Sequence, residues 1–132
     1  MDKIRVLLAD DHETLLERVR SILCKEFEVI GTVDNGQDAV AEVRRLDPDV
    51  LVMDISMPIL DGLQAAAQLQ RKACRTKVVF LSVHEDQDYA DAAFAFGASG
   101  YVTKSHVTSD LVPAIREALD GRTFVSDSFR RG

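Results

Sequence analysis

Five short, almost wholly apolar runs recur along this chain of 132 residues, and segments with helical periodicity separate them. The runs are Ile4 to Ala9, Val29 to Val33, Val50 to Met53, Val78 to Leu81 and Gly100 to Val102. Strands that are buried on both faces of a sheet have this continuous apolar character, whereas strands with one solvated face alternate. The intervening segments each carry one apolar stripe, as in Leu15, Leu16, Val19 and Leu23. The alternation predicts an α/β fold in which helices cover both faces of a parallel sheet.

Polar residues stand where four of these runs end. Asp10 and Asp11 follow the first run, Asp54 the third, Ser82 the fourth, and Lys104 lies just beyond the fifth. The carboxyl ends of parallel strands meet at one edge of the sheet, where open α/β folds bind their ligands. We therefore expect one site that combines carboxylates, a hydroxyl and an ammonium group.

This set of side chains suits a hard cation and a phosphoryl group. Mg²⁺ prefers oxygen ligands and is often held by one or two carboxylates together with a phosphate oxygen. Asp54 is the candidate nucleophile, because a carboxylate can form an acyl phosphate when the incoming charge is neutralised. Each residue alone has a simpler interpretation, such as Asp10 or Asp11 capping the first helix, so the prediction depends on their joint placement.

Length and charge exclude several classes of function. The chain is predicted to form one domain over residues 1–121, followed by a loosely ordered tail or linker over 122–132. A formal net charge of −6 disfavours direct DNA contact by this segment. No apolar run reaches the roughly 20 residues that span a bilayer, and no signal peptide is apparent, so we expect a cytoplasmic protein that does not contact the membrane.

The last helix is predicted to start at Thr108 or Ser109, with Pro113 loosening its first turn.

Four motifs carry a resemblance to a known family. They are LLADDH around Asp10 and Asp11, VLVMDISMPILDG around Asp54, VVFLSVH around Ser82 and GASGYVTKS around Lys104. In order and separation they resemble the receiver domain of two-component response regulators, from about Ile4 to Val125. The phrases DISMP, LSVHED and GASGYVTK are most similar to the NarL/FixJ subfamily, whose receivers precede a LuxR-type helix-turn-helix domain.

The resemblance implies a fold and a metal site. The fold is a doubly wound, flavodoxin-like (βα)5 sandwich with strand order 2-1-3-4-5. Asp54 resembles the phospho-acceptor that takes a phosphoryl group from a sensor histidine kinase. Asp11 and Asp54 resemble direct Mg²⁺ ligands, the backbone carbonyl of Ser56 a third, and Asp10 a residue that acts mainly through water.

The resemblance also implies a switch. Ser82 and Lys104 resemble the residues that hold the phosphoryl oxygens, and Tyr101 the aromatic residue whose ring turns inward when Ser82 moves. Such a protein catalyses only its own phosphorylation and dephosphorylation. The face formed by the fourth helix, fifth strand and fifth helix is expected to support a phosphorylation-dependent homodimer, with the first and fifth helices as the alternative interface. DNA would be bound by a C-terminal output domain in the full-length protein.

Two other classes of protein remain to be weighed. A flavin- or nucleotide-binding enzyme of the same fold needs a phosphate-binding loop after the first strand, but Asp10, Asp11 and Glu13 would repel phosphate there. A degenerate receiver that signals by protein contacts alone is disfavoured by the complete set of site residues.

Ser56 and His84 occupy positions that influence hydrolysis of the acyl phosphate in the resembled family, and His12 is interpreted as a loop or helix-start residue.

Overall fold

Strands and helices alternate through the computed structural model, which describes residues 3–72 and 74–126. The strands are β1 (Arg5–Ala9), β2 (Glu28–Val33), β3 (Val50–Met53), β4 (Lys77–Ser82), β5 (Gly100–Thr103) and β6 (Phe124–Val125). The helices are α1 (Glu13–Leu23), α2 (Gly36–Leu46), α3 (Gly62–Arg71), α4 (Gln87–Ala95) and α5 (Val107–Leu119), and a short 3-10 turn (Lys104–His106) joins β5 to α5.

All strand pairs are parallel, and the strand order is β2-β1-β3-β4-β5-β6. The order confirms the predicted 2-1-3-4-5 arrangement and adds a sixth strand. The chain moves outward from β1 to β2 and then crosses to the other side of β1 to form β3, so the switch point lies between β1 and β3. A doubly wound sheet leaves a crevice at that point, beyond the carboxyl ends of the strands.

Alternate residues of the central strands pack into two separate cores. Leu7, Leu51 and Phe80 face α2, α3 and α4 on one side of the sheet. Val6 and Val50 belong to the opposite core, which α1 and α5 cover. Because every central strand is buried on both faces, its side chains are apolar without alternation, which is the pattern visible in the sequence.

The prediction of a loosely ordered tail over residues 122–132 is wrong for the first part of that segment. Phe124 and Val125 form β6 beside β5, and the backbone N–H of Ser126 donates to the carbonyl of Tyr101 at 3.0 Å. Gly121, with φ of +80°, takes a left-handed conformation that turns the chain back toward the sheet. Apolar side chains in a two-residue run are too weak a signal to predict a strand, but they suffice to cover an existing edge. Residues 127–132 of the predicted tail lie outside the described residues, and their role as a linker stays a prediction.

The predicted start of α5 is also wrong by one or two residues. The helix begins at Val107, and His106 rather than Thr108 or Ser109 occupies the N-cap position, without a side-chain capping bond. Val107 is 1% exposed, so core packing extends the helix toward its N-terminus beyond the point at which capping residues would start it. Pro113 lies inside the helix, past its first turn. Within residues 3–72 and 74–126, no helix has both the length and the apolar character to cross a membrane.

Close backbone packing holds the loop between β3 and α3. The N–H of Gly62 donates to the carbonyl of Ile55 at 2.7 Å, and a Cβ placed on Gly62 would lie 2.3 Å from the backbone oxygen of Asp54. Asp61 caps α3 by accepting from the N–H of Gln64, whose side chain in turn accepts from the N–H of Asp61. The start of α3 is therefore pressed against Asp54, the residue that follows β3.

Candidate functional site

The predicted site residues meet at the carboxyl edge of the sheet. Backbone bonds extend the strand pairing by one residue, because Asp10 N–H donates to Val33 at 3.0 Å and Asp54 N–H donates to Ala9 at 2.9 Å. Asp10 is 4% exposed and Asp54 is 3% exposed, so two carboxylates lie buried side by side at the switch point. The parallel pairing of β1 and β3 produces this arrangement.

Lys104 joins the two buried carboxylates. Its Nζ lies 3.0 Å from Asp10 Oδ2 and 3.2 Å from Asp54 Oδ2, and its side chain is 11% exposed. The bond to Asp54 has hydrogen-bond geometry, whereas the contact with Asp10 is an ion pair without it. The ammonium group thus occupies the position from which it could hold an oxygen of a group attached to Asp54.

The environment raises the pKa of the Asp54 carboxyl group above its ordinary value. Burial is the largest cause, and the negative charge of Asp10 acts in the same direction, while the ammonium of Lys104 opposes both. A buried carboxylate near a second one is costly unless cations neutralise it. The pair is therefore poised to bind positive charge beyond that of Lys104.

Two further side chains extend the cluster toward solvent. Asp11 is exposed, and its Oδ1 lies 3.3 Å from His12 Nδ1. The same nitrogen lies 2.9 Å from Asp10 Oδ1 and 4.0 Å from Asp54 Oδ2. His12 is the N-cap residue of α1, as a helix-start interpretation predicts, but its ring also turns into the site. The interpretation missed this second role, for which the only signal was adjacency to the aspartate pair.

The side chains present fit a divalent cation. Asp10, Asp11, His12 and Asp54 each offer one ligand atom, and these atoms lie within 4.8 Å of one another. Asp10 Oδ2 is buried, and its partner is the ammonium of Lys104 at 3.0 Å, in an ion pair without hydrogen-bond geometry. Carboxylate oxygens are the ligands that Mg²⁺ prefers. The predicted roles of Asp10 through water and of the Ser56 carbonyl as a ligand stay predictions.

Ser82 and Tyr101 form a hydrogen-bonded link beside the site. Ser82 is fully buried at the end of β4, and its Oγ accepts from the N–H of His84 at 3.1 Å. The Tyr101 hydroxyl donates to the His84 carbonyl at 2.8 Å. Burial raises the pKa of the Tyr101 phenol, and a hydrogen bond with Ser82 opposes this rise. Tyr101 is also fully buried, and β6 rather than solvent flanks its strand, so it is not an edge-strand residue.

Ser56 and His84 meet at the exposed rim of the site. Ser56 Oγ lies 3.1 Å from His84 Nε2, and the His84 ring stacks on Tyr89 with centroids 4.0 Å apart. The backbone N–H of Ser56 points to Asp54 Oδ1 at 3.4 Å. These contacts bring together two loops that the sequence separates by 28 positions.

Comparison with known proteins shows which proteins the chain resembles. A family model described as the response regulator receiver domain matches residues 6–116. The chain is 35% identical over 126 residues to the transcriptional regulatory protein DegU of Brevibacillus brevis, covering 94% of this chain and 53% of that protein. It is 38% identical over 125 residues to the uncharacterized transcriptional regulatory protein YvfU of Bacillus subtilis (strain 168), covering 93% and 62%.

A solved structure shows the same fold. The crystal structure of a two-component response regulator of the LuxR family from Aurantimonas sp. SI85-9A1 superposes with a TM-score of 0.92 at 29% identity, covering 99% of this chain and 94% of that one. These similarities place the chain beside LuxR-type regulators, as the motifs DISMP and GASGYVTK predict. The chain spans little more than half the length of the curated relatives named above.

Proposed function

This chain belongs to the response regulator receiver domain family, and we propose that it is a switch controlled by phosphorylation of Asp54. The observation that carries the proposal is the buried Asp54 carboxylate with Lys104 Nζ at 3.2 Å and Asp10 beside it. Acyl phosphate formation requires a carboxylate nucleophile and nearby positive charge to stabilise the transferring group. Receiver domains are signalling proteins, and the catalysis proposed here is confined to the domain's own phosphorylation and dephosphorylation.

The transfer follows from the contacts of three side chains. An oxygen of Asp54 attacks phosphorus in the phosphohistidine of a sensor histidine kinase, and an O–P bond forms as the N–P bond breaks. The leaving imidazole takes up a proton. Lys104 holds one phosphoryl oxygen, and Ser82 donates its hydroxyl to another.

A magnesium ion is part of this proposal. When bound, Mg²⁺ neutralises charge on the transferring phosphoryl oxygens. Asp10, Asp11 and Asp54 would hold it, with the backbone carbonyl of Ser56 as a further ligand. The ligand atoms of these three aspartates lie within 4.8 Å of one another, which supports this assignment.

The signalling output is proposed from the relatives. DegU and YvfU carry the name transcriptional regulatory protein. We infer that the full-length protein binds DNA through a C-terminal helix-turn-helix domain, outside residues 1–132. Phosphorylation by a sensor histidine kinase would then act through the face of α4, β5 and α5, by way of a homodimer.

Labelling with acetyl phosphate tests the assignment of Asp54. We expect intact-mass analysis to show one added phosphoryl group in the presence of Mg²⁺ and none with a chelator. Asp54→Asn should abolish labelling. Asp34→Asn is the matched control, because Asp34 follows β2 at the same edge of the sheet but is exposed. Equal labelling of wild type and Asp54→Asn would overturn the proposal.

A further inference from the structure

The side chains on either side of Lys104 belong to one chain of hydrogen bonds. His106 Nδ1 lies 2.9 Å from Thr103 Oγ1, and Thr103 Oγ1 lies 3.4 Å from Ser105 Oγ. Ser105 Oγ in turn donates to Glu85 Oε1 at 3.1 Å. The residues immediately before and after Lys104 are therefore joined to each other, to the His106 ring and to the loop between β4 and α4.

The carboxylate at its end fixes the direction of every bond in this chain. An ionised carboxylate only accepts, so the Ser105 hydroxyl directs its one hydrogen to Glu85. The Thr103 hydroxyl then donates to Ser105 Oγ, and the Nδ1–H of His106 donates to Thr103 Oγ1. Nδ1 also lies 3.1 Å from Ser105 Oγ, so its hydrogen is within reach of both hydroxyls. Each hydroxyl donates once and accepts once, an arrangement in which hydrogen bonds strengthen one another.

The turn that carries Lys104 has little other support from side chains. The backbone N–H of Val107 donates to the Lys104 carbonyl, but among the described residues neither the turn nor α5 has a side-chain capping bond at its start. Thr103 is 1% exposed and its N–H donates to Ser126 Oγ, so the turn begins from a fixed point. From that point Lys104 must bring Nζ within 3.2 Å of Asp54 Oδ2. The hydrogen-bonded chain supplies the restraint that the missing caps do not.

We propose that His106 is a positioning residue for the transfer of a phosphoryl group to Asp54. Its ring holds the hydroxyls on both sides of Lys104 and so fixes the turn from which the ammonium group reaches a phosphoryl oxygen. The inference rests on the proposed phosphorylation of Asp54 and adds a residue that acts through its neighbours. Alignment matters here, because a misplacement of about 1 Å can lower a rate about 100-fold.

Rates of labelling by acetyl phosphate in the presence of Mg²⁺ test the proposal. His106→Leu keeps a side chain of similar size without a donor, and it should slow labelling about tenfold or more. His106→Asn offers an amide N–H in place of Nδ1–H and should restore most of the rate. Ser109→Ala is the matched control, because Ser109 donates to the carbonyl of His106 and not to its ring. This variant should label at the wild-type rate.

A double-mutant cycle separates positioning from a general loss of stability. Thr103→Val removes the first acceptor of the ring, so adding His106→Leu to it should slow labelling little further. Urea denaturation of each variant establishes conditions in which all are folded while the rates are compared. Unchanged labelling in His106→Leu, no restoration by His106→Asn, or independent effects in the cycle would overturn the role of His106 and leave the phosphorylation of Asp54 intact. Failure of the wild type to be labelled would overturn the proposed function, and the inference with it.

Discussion

At the scale of single residues, the burial that suits Asp54 to its proposed function makes its ionised carboxylate costly for folding. Its carboxyl group is buried beside Asp10, and burial raises its pKa. A carboxyl group whose pKa is higher in the folded than in the unfolded state favours folding while protonated. That contribution is complete below the unfolded value of about 4 and is lost as the pH rises through the folded value.

Asp54→Asn should therefore stabilise the metal-free domain at neutral pH. The advantage over wild type should be small near pH 4.5 and should grow toward pH 7.5, by about 1.4 kcal/mol for each unit by which the folded pKa exceeds the unfolded one. Urea denaturation in the presence of a chelator measures the difference. Asp34→Asn should show no such trend, and a wild type more stable than Asp54→Asn at pH 7.5 would contradict the assignment.

The residues of the site differed in how far the sequence could predict them. Asp54 and Lys104 were predictable because each ends or follows a strand, and parallel strands bring their carboxyl ends together. His12 was not, since sequence position does not determine which way an exposed ring turns. Tyr101 was recognised only through family resemblance, because its bond to the His84 carbonyl joins residues 17 positions apart.

At the scale of elements, the loop from β3 to α3 positions Asp54 through close backbone contact. A Cβ on Gly62 would lie 2.3 Å from the backbone oxygen of Asp54, whereas a Cβ on Gly31 would contact only side-chain atoms, at 3.5 Å or more. Gly62→Ala should destabilise the domain by about 3 kcal/mol, the upper part of the usual range for overpacking. Gly31→Ala, in β2, should cost much less.

Thermal or urea denaturation of these two variants measures the difference, and acetyl phosphate labelling of Gly62→Ala should slow because Asp54 is displaced. Similar stability of the two variants would show that the β3–α3 loop can shift without penalty.

A hydroxyl that the apolar pattern does not reveal accepts a backbone hydrogen bond between the end of β5 and the residue after β6. Ser126 is fully buried, and its Oγ accepts from the backbone N–H of Thr103 at 3.1 Å. Ser126→Ala leaves that buried N–H without this acceptor, which should cost about 1–3 kcal/mol. Hydrogen exchange should become faster at Thr103 and through β6, while Ser109→Ala, an exposed change in α5, should leave both unaffected. Unchanged exchange in Ser126→Ala would show that the strand pairing does not need the hydroxyl.

At the scale of the whole molecule, the negative net charge disfavours binding to DNA. The chain has a formal net charge of −6, and DNA binding requires clustered positive charge that displaces counterions. Residues 1–132 alone should show no specific DNA binding in fluorescence anisotropy at physiological salt. Salt-sensitive binding with nanomolar affinity would contradict the proposal that DNA contact belongs to an output domain.

The face near α4 combines exposed apolar side chains with a direct connection to the site. Val83, Tyr89 and Phe96 are 65%, 37% and 39% exposed. The connection runs through His84, whose N–H donates to Ser82 and whose carbonyl accepts from Tyr101. If Ser82 donates to a phosphoryl oxygen, the loop that carries Val83 and His84 must adjust, and the apolar face changes with it.

Phosphorylation should therefore change self-association of the domain. Coupling between distant sites is typically about 1–3 kcal/mol, which corresponds to about 5- to 150-fold in dimer affinity. Sedimentation velocity with and without beryllofluoride and Mg²⁺ measures it. Tyr101→Phe keeps the ring but removes the hydroxyl that bonds to His84, so it should reduce the change.

Phe96→Asp should abolish association if α4 forms the interface, and Arg20→Glu on α1 should do so if α1 and α5 form it instead. Loss of association in Arg20→Glu alone would overturn the α4, β5 and α5 face, and unchanged association in the wild type, with beryllofluoride bound, would show that the switch does not act through a homodimer of this domain.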